Sequence, residues 1–166
     1  MRNVMREHAT LPIRLILGIG FAFHGYGKLF TEQEHNGFAG MLQGIGVPTP
    51  DLTAWLVGGI EFFGGIALIV GAFVGLVATL QIAIMLVALF TVHLGNGFSF
   101  MNVTGMTEAG PQFGMPGYEI NLLYIAGLSA LILSGAGAWS VDRARAARRL
   151  AVRAGTAEKS AALVTS

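Results

Sequence analysis

Residues 12–30 are almost wholly apolar, and a polar cluster, Thr31, Glu32, Gln33, Glu34, His35 and Asn36, ends that run. About 20 apolar residues in a helix suffice to cross the hydrocarbon layer of a membrane, and Pro12 suits the first turn of such a helix. An amphipathic stretch follows, after which Val47-Pro48-Thr49-Pro50-Asp51 marks a turn and a new helix N-terminus. From 52 to 94 the chain is apolar again, interrupted among strongly polar groups by Glu61, Gln81 and His93. As one helix this run would be roughly 65 Å long, about twice the thickness it could span. It must fold back, and the glycines of Gly71-Ala72-Phe73-Val74-Gly75 supply the turn. Residues 95–117 lack helical periodicity and read as a loop outside the membrane. A fourth apolar helix follows and is expected to continue outward into a basic tail. The pattern therefore predicts helices over about 12–30, 52–72, 75–95 and 118–140, in a membrane domain covering 1–143, with a tail over 144–166.

Composition agrees. Of the 166 residues 54% are hydrophobic and 11% charged, against roughly 25% charged in a soluble domain, and the mean hydropathy is +0.66. The expected fold class is all-α, an integral membrane four-helix bundle. The charge distribution orients it. Arg2, Arg6 and Arg14 flank the first helix, and Arg143, Arg145, Arg148, Arg149, Arg153 and Lys159 follow the fourth; Lys28 alone among 10 basic residues falls on the other side. The positive-inside rule then places both termini in the cytoplasm. Trp55 and Trp139 fall near opposite interfaces. A cleaved signal peptide is not expected, because His24 and Lys28 interrupt the apolar region and no A-x-A site follows.

The sequence contains no cysteine, which excludes disulfides, thiolate metal sites, iron–sulfur clusters and thiol redox chemistry. Candidate chemistry rests instead on polar groups at depth. Arg14, Leu17, Phe21, His24 and Lys28 recur at steps of three and four and share one face of the first helix. His24 lies roughly 9 Å below the outer end of its helix and Glu61 roughly 13 Å below the same surface. His93 and Asn96 end the third helix there, and Glu119 and Asn121 begin the fourth. The catalytic candidates are thus His24, Lys28 and Glu61, with Phe21, His93, Asn96, Glu119 and Asn121 as the lining of a substrate pocket. Ionisable groups inside a membrane are functional by default; the competing reading is that they only pin helices together, with Glu61 paired to Lys28 or His24. Gly18, Ala22 and Gly25, and on the second helix Ala67, Gly71 and Gly75, form small-residue faces for close packing. Arg14 is expected to snorkel to the headgroups and Gln81 to make an interhelical hydrogen bond. Arg143, Arg145, Arg148 and Arg149 are expected at the membrane surface. No metal site is expected, since Met101, Met106 and Met115 are irregularly spaced; haem between His24 and His93 is disfavoured for want of a second pair or an attachment motif.

Three stretches, RLILGIGFAFHGYGKL, GIEFFGGIALIVG and YEINLLYIAGLSALILSGAGAWSVDR, resemble the DoxX family of small bacterial membrane proteins over about residues 12–143. The most specific pieces are H-G-x-x-K, E-x-x-G-G, and N-L-L followed by G-x-G-x-x-S-x-D. The resemblance implies a four-helix, multi-pass protein of the bacterial plasma membrane, linked to quinone redox chemistry or redox stress, with His24, Lys28, Glu61, Asn121 and Arg14 as positions of interest. It also implies a quinone, not a covalently bound group, as cofactor.

Three functions remain open: a redox subunit binding a quinone near the outer face, a non-catalytic accessory or assembly protein, and a small-solute or proton transporter. The expected partners are the lipid bilayer and an oxidoreductase subunit or a second copy of the chain; no nucleic-acid partner is expected.

Overall fold

The computed structural model describes residues 8–164, with side-chain surroundings as far as 156. Arg2 and Arg6, and the side chain of Lys159, lie outside this description. Six α-helices dominate the described residues: α1 (Thr10–Phe30), α2 (Glu32–Gly44), α3 (Pro50–Val70), α4 (Val74–Ala88), α5 (Glu119–Ser134) and α6 (Val141–Val164). A π-helical turn, Leu89–His93, and a 3-10 turn, Leu94–Asn96, extend α4. Among the described residues two helical stretches are long and apolar enough to cross a membrane, Pro50–Val70 and Val74–Asn96, and Glu119–Ser134 is a shorter apolar helix.

The most extensive packing is between α1 and α3, and glycine makes it so. A Cβ added at Gly25 would stand 2.3 Å from the Phe62 backbone nitrogen, and one at Gly65 would stand 2.5 Å from that of Ala22. Gly18 likewise faces the Gly65 carbonyl and Ile69. These pairings fall in descending order along α3 as α1 ascends, so the two helices are antiparallel. The small-residue face expected on α1 is therefore real. Its partner on α3 is not Ala67-Gly71-Gly75 but Gly58 and Gly65, because Gly71 belongs to the turn and Gly75 faces open space. α4 folds back on α3, α5 packs on α4, and α5 also returns to α1. Leu17, Phe21, Leu68, Val74, Ala78, Leu128 and Leu131 form the shared core.

The start of α1, the α3–α4 turn and the end of α5 meet at one end of the molecule. Gly71 (φ 72) and Phe73 (φ 51) take left-handed conformations at the turn, and Asp142 receives the Phe73 and Val74 amides on its two carboxylate oxygens, both at 2.9 Å. The Thr10 hydroxyl donates to the Ala136 carbonyl at 3.2 Å. Arg14, expected to snorkel to headgroups, is instead fully buried, donating to the carbonyls of Trp139 (3.1 Å) and Ala138 (3.5 Å). The reason is that Gly135, Gly137 and Trp139 adopt positive φ and fold residues 135–140 back over it. The same break corrects the expected single helix over 118–140 continuing into the tail: α5 stops at Ser134, and α6 starts afresh at Val141, its Arg143 amide capped by the Ser140 hydroxyl (3.2 Å).

At the other end lie two elements that the hydropathy pattern did not assign as helix or strand. One is α2; the other is an antiparallel hairpin, β1 (Val103–Thr107) with β2 (Gly110–Phe113), in which Thr107 pairs with Gly110.

Gly25→Ala and Gly65→Ala should each destabilise the protein by about 1–3 kcal/mol, because the added methyl meets backbone and cannot be relieved by a rotamer change. Gly59→Ala, whose Cβ would meet nothing within 4 Å, should be neutral or stabilising by up to about 1 kcal/mol. Thermal unfolding in detergent micelles separates the two classes, and similar behaviour at all three positions would refute the seam.

Candidate functional site

The polar centre of the molecule lies on the α1–α3 seam. Lys28 sits in the last turn of α1 and Glu61 midway along α3; their side chains meet with Lys28 Nζ 2.5 Å from Glu61 Oε2. Both are withdrawn from the surface, at 15% and 5% side-chain exposure. Gly58 lets the helices close here, its Cα facing Lys28 Cβ and Leu29. α2 crosses above the pair and lays the Phe38 ring 4.7 Å from Lys28 Nζ, so the ammonium is held between a carboxylate and an aromatic face. From α4, the buried Gln81 amide donates to the Ile60 carbonyl at 3.1 Å and to the Glu61 carbonyl at 3.5 Å, while Gly64 leaves it room. The expected interhelical hydrogen bond of Gln81 thus supports the turn that carries Glu61.

A second polar group, which the sequence reading passed over, adjoins the first. His35 of α2 is buried. Its Nδ1 lies 2.7 Å from the Lys28 carbonyl and its Nε2 lies 3.0 Å from Asp51 Oδ1 at the start of α3. Its ring lies 4.5 Å from that of Trp55. A carbonyl and a carboxylate are both acceptors, so His35 satisfies both only as the imidazolium. The hydrogen bond to Asp51, then that to the Lys28 carbonyl, raises its pKa above the ordinary imidazole value. His35 thereby ties the end of α1 to the start of α3 and fixes α2 over Lys28 and Glu61. Beside it an open cleft of about 370 Å³ is lined by Leu29, Phe30, Glu32, His35, Asp51 and Trp55, among others. The available signal was His35 itself, three residues beyond Glu32 in the polar cluster; without α2 as a helix, nothing placed it.

The other predicted site residues are dispersed. His24 does not join Glu61: it is exposed on the flank of α1, edge-on to Phe23 at 5.8 Å. Steps of three and four drift, so His24 stands about 80° from Arg14 around the helix while Lys28 returns to within about 40°. Phe21 packs at right angles on Tyr124, at 5.2 Å, inside the core. His93 donates from Nδ1 to the Pro116 carbonyl at 2.8 Å, and Asn96 to the Val92 and Pro116 carbonyls at 3.0 and 3.5 Å. Glu119 accepts the Phe100 amide at 2.9 Å, and Asn121 donates to the Met85 carbonyl at 3.4 Å. These four groups hold the loop or join α4 to α5, because the loop over 97–117 returns its own backbone to the ends of both helices. They do not surround Glu61, which corrects the expected common pocket. Arg145 lies over the Phe73 ring at 4.8 Å, and Arg143, Arg148 and Arg149 are exposed along α6.

Chemically, the Lys28–Glu61 pair can pass a proton and can donate to an electronegative oxygen; the His35–Asp51 bridge controls what covers it. A family model named DoxX matches residues 9–94, just over half of the chain. The match takes in Arg14, Lys28, His35, Glu61 and Gln81 and ends before Asn96. Comparison with curated proteins and with solved structures found no match.

The stability that α2 contributes should fall as pH rises. The folded state holds the His35 proton more tightly than the unfolded chain, so the contribution is complete below about pH 6.5 and is lost as pH climbs through the raised folded value. Unfolding midpoints across pH 5.5–9 should show that decline in the native chain and its loss in His35→Gln. An unchanged profile in the variant would assign the pH dependence elsewhere.

Proposed function

The chain belongs to the DoxX family of membrane proteins, and from that premise we propose that it is a multi-pass protein of the bacterial plasma membrane, a four-span bundle with both termini in the cytoplasm, serving as the quinone-binding component of an oxidoreductase. The observation that carries this reading is the buried Lys28–Glu61 pair, roofed by α2 and neighboured by an open cleft that Phe30 and Trp55 line together with polar side chains. An ammonium aimed at a quinone carbonyl stabilises the negative charge that develops there on reduction. A carboxylate beside it can carry the accompanying proton. Electrons would come from a partner subunit. The burial of Phe21 and the dispersal of His93, Asn96, Glu119 and Asn121 narrow the proposed site to Lys28, Glu61 and the groups on α2. The proposed topology is supported by the joint that gathers the start of α1, the α3–α4 turn and the end of α5, with Arg143, Arg145, Arg148, Arg149 and Arg153 directly beyond it.

A second reading, an accessory protein that docks partner spans, draws on two observations. Lys28 and Glu61 satisfy each other, and His24 is exposed on α1 where a partner helix or a second copy would cover it.

Titration of the purified protein with a ubiquinone or menaquinone analogue should show saturable binding, weakened on the order of tenfold or more in Glu61→Gln, since a buried group hydrogen-bonded to a ligand contributes about 1.5–3 kcal/mol when charged. Absence of saturable binding in both proteins would remove the quinone reading. Lys28→Met alone should destabilise the fold by about 3–5 kcal/mol by stranding the carboxylate, and Lys28→Met/Glu61→Gln should restore most of it. If that double variant folds and assembles but loses a redox phenotype, the accessory reading fails.

A further inference from the structure

The last helix is the least explained part of the molecule. α5 ends at Ser134, and Gly135, Gly137 and Trp139 at positive φ break the axis before α6 begins. The first turn of α6 is then fastened to the end of the α3–α4 hairpin: Asp142 caps the Phe73 and Val74 amides, its own amide donates to the Gly71 carbonyl at 3.0 Å, and Arg145 lies over Phe73. From Arg143 to Thr156 every residue is exposed. The helix therefore starts at the level where two apolar helices end, with a new direction, and beyond its first turn the described residues as far as Thr156 are exposed.

Its residues are sorted by side. At 100° per residue, Arg145, Arg148, Arg149 and Arg153 fall within an arc of about 140°, shared with Val152, Thr156 and, in the first turn, Val141 and Asp142. Ala144, Ala146, Ala147, Leu150, Ala151 and Ala154 occupy the remainder, with Gly155 near a margin; Arg143, in the first turn, also falls on that side, about 20° from Leu150. Leu150 is 67% exposed. The one acid in residues 141–156 is Asp142, already engaged in capping. Trp139, 78% exposed at the break, is a residue that favours the headgroup level. A basic helix with an apolar side, low overall hydrophobicity and an aromatic at its root has the character of a helix lying in a membrane interface.

We propose that α6 lies on the leaflet where α3 and α4 meet, with its alanine–leucine side toward the acyl boundary and Arg145, Arg148, Arg149 and Arg153 bound to anionic phospholipid headgroups. Charge complementarity selects the occupant: four arginines on one side match a surface of net negative charge and gain no such attraction from a zwitterionic one. The proposal rests on the membrane reading and is independent of the quinone reading. It turns the break at residues 135–140 into a device that redirects the chain from crossing the bilayer to following it.

Because the chain has no cysteine, Leu150→Cys offers a unique attachment point for a polarity-sensitive fluorophore in the full chain. Reconstituted into vesicles of phosphatidylcholine with phosphatidylglycerol, the probe should emit at shorter wavelength than in phosphatidylcholine alone. The difference should vanish in 1 M salt, where the Debye length is about 3 Å. Arg148→Gln/Arg149→Gln/Arg153→Gln in the labelled chain should lower the ratio of docked to free helix on the order of a hundredfold, at roughly fivefold per arginine, and bring emission to the phosphatidylcholine value. Equal emission in the two lipids, or a shift that appears only on adding duplex DNA, would overturn the proposal. Flotation of the protein with both kinds of vesicle keeps that outcome distinct from failure of the membrane reading, and unchanged helical circular dichroism in the triple variant excludes unfolding as the cause.

Discussion

Backbone contact between α1 and α3 sets the geometry of everything else in this molecule. Two helices carrying side chains at their crossing stand 8–10 Å apart; glycine at Gly18, Gly25, Gly58 and Gly65 removes those side chains, and the main chains touch. In a membrane, where burial of apolar surface drives little association between spans, such close packing is a principal source of stability. The seam also fixes register. With Gly25 against Phe62 and Gly58 under Lys28, the Lys28 ammonium is directed at Glu61, and no sliding of one helix along the other preserves both the contact and the ion pair.

The two ends of the seam are finished differently. At one end the chain closes on itself: Arg14 is buried under the carbonyls of residues 138 and 139, and Asp142 caps α4. The residues of the G-x-G-x-x-S-x-D stretch, Gly135, Gly137, Ser140 and Asp142, each do mechanical work there. The glycines take positive φ, serine caps α6 and aspartate caps α4. At the other end the closure is a single helix, α2, held by His35 to Lys28 and Asp51 and by Phe38 to the Lys28 ammonium. One end is therefore a fixed joint, and the other is a cover whose attachment depends on one proton.

Hydropathy made the helical fold legible, because long apolar runs and the glycines at 71 and 75 follow from length and backbone freedom alone. Glu61, Gly64, Gly65 and Leu68, buried together on α3, stand at steps a 3.6-residue period puts on one face. What failed has local physical causes. The projection that placed His24 on one face with Arg14 ignored the drift of that period. The π turn at Leu89–His93 interrupts the α-helical repeat beyond α4, so counting at 3.6 residues per turn does not place His93. Arg14 was assigned to the headgroups by its depth, which carries no information about a backbone segment returning from 124 residues away. α2 was hidden because three glycines, Gly37, Gly40 and Gly44, lower its helix propensity, and packing on α1 and α3 overrides that deficit.

The Lys28–Glu61 pair is the feature that this packing does not require. The glycine seam and the shared core already hold α1 to α3, and a buried ion pair is often no more stabilising than apolar side chains of similar volume, because desolvation offsets the attraction between the charges. A seam built for stability alone would be served by Leu or Met at those two positions. The pair instead keeps a transferable proton and a fixed positive charge inside an apolar wall, under a helix whose hold depends on His35. It is also flanked on the α4 side by a glutamine whose amide supports Glu61 and whose Oε1 is buried without a partner. Polar groups arranged in this way, costly to bury and unnecessary for packing, are the ones on which the proposed quinone site rests.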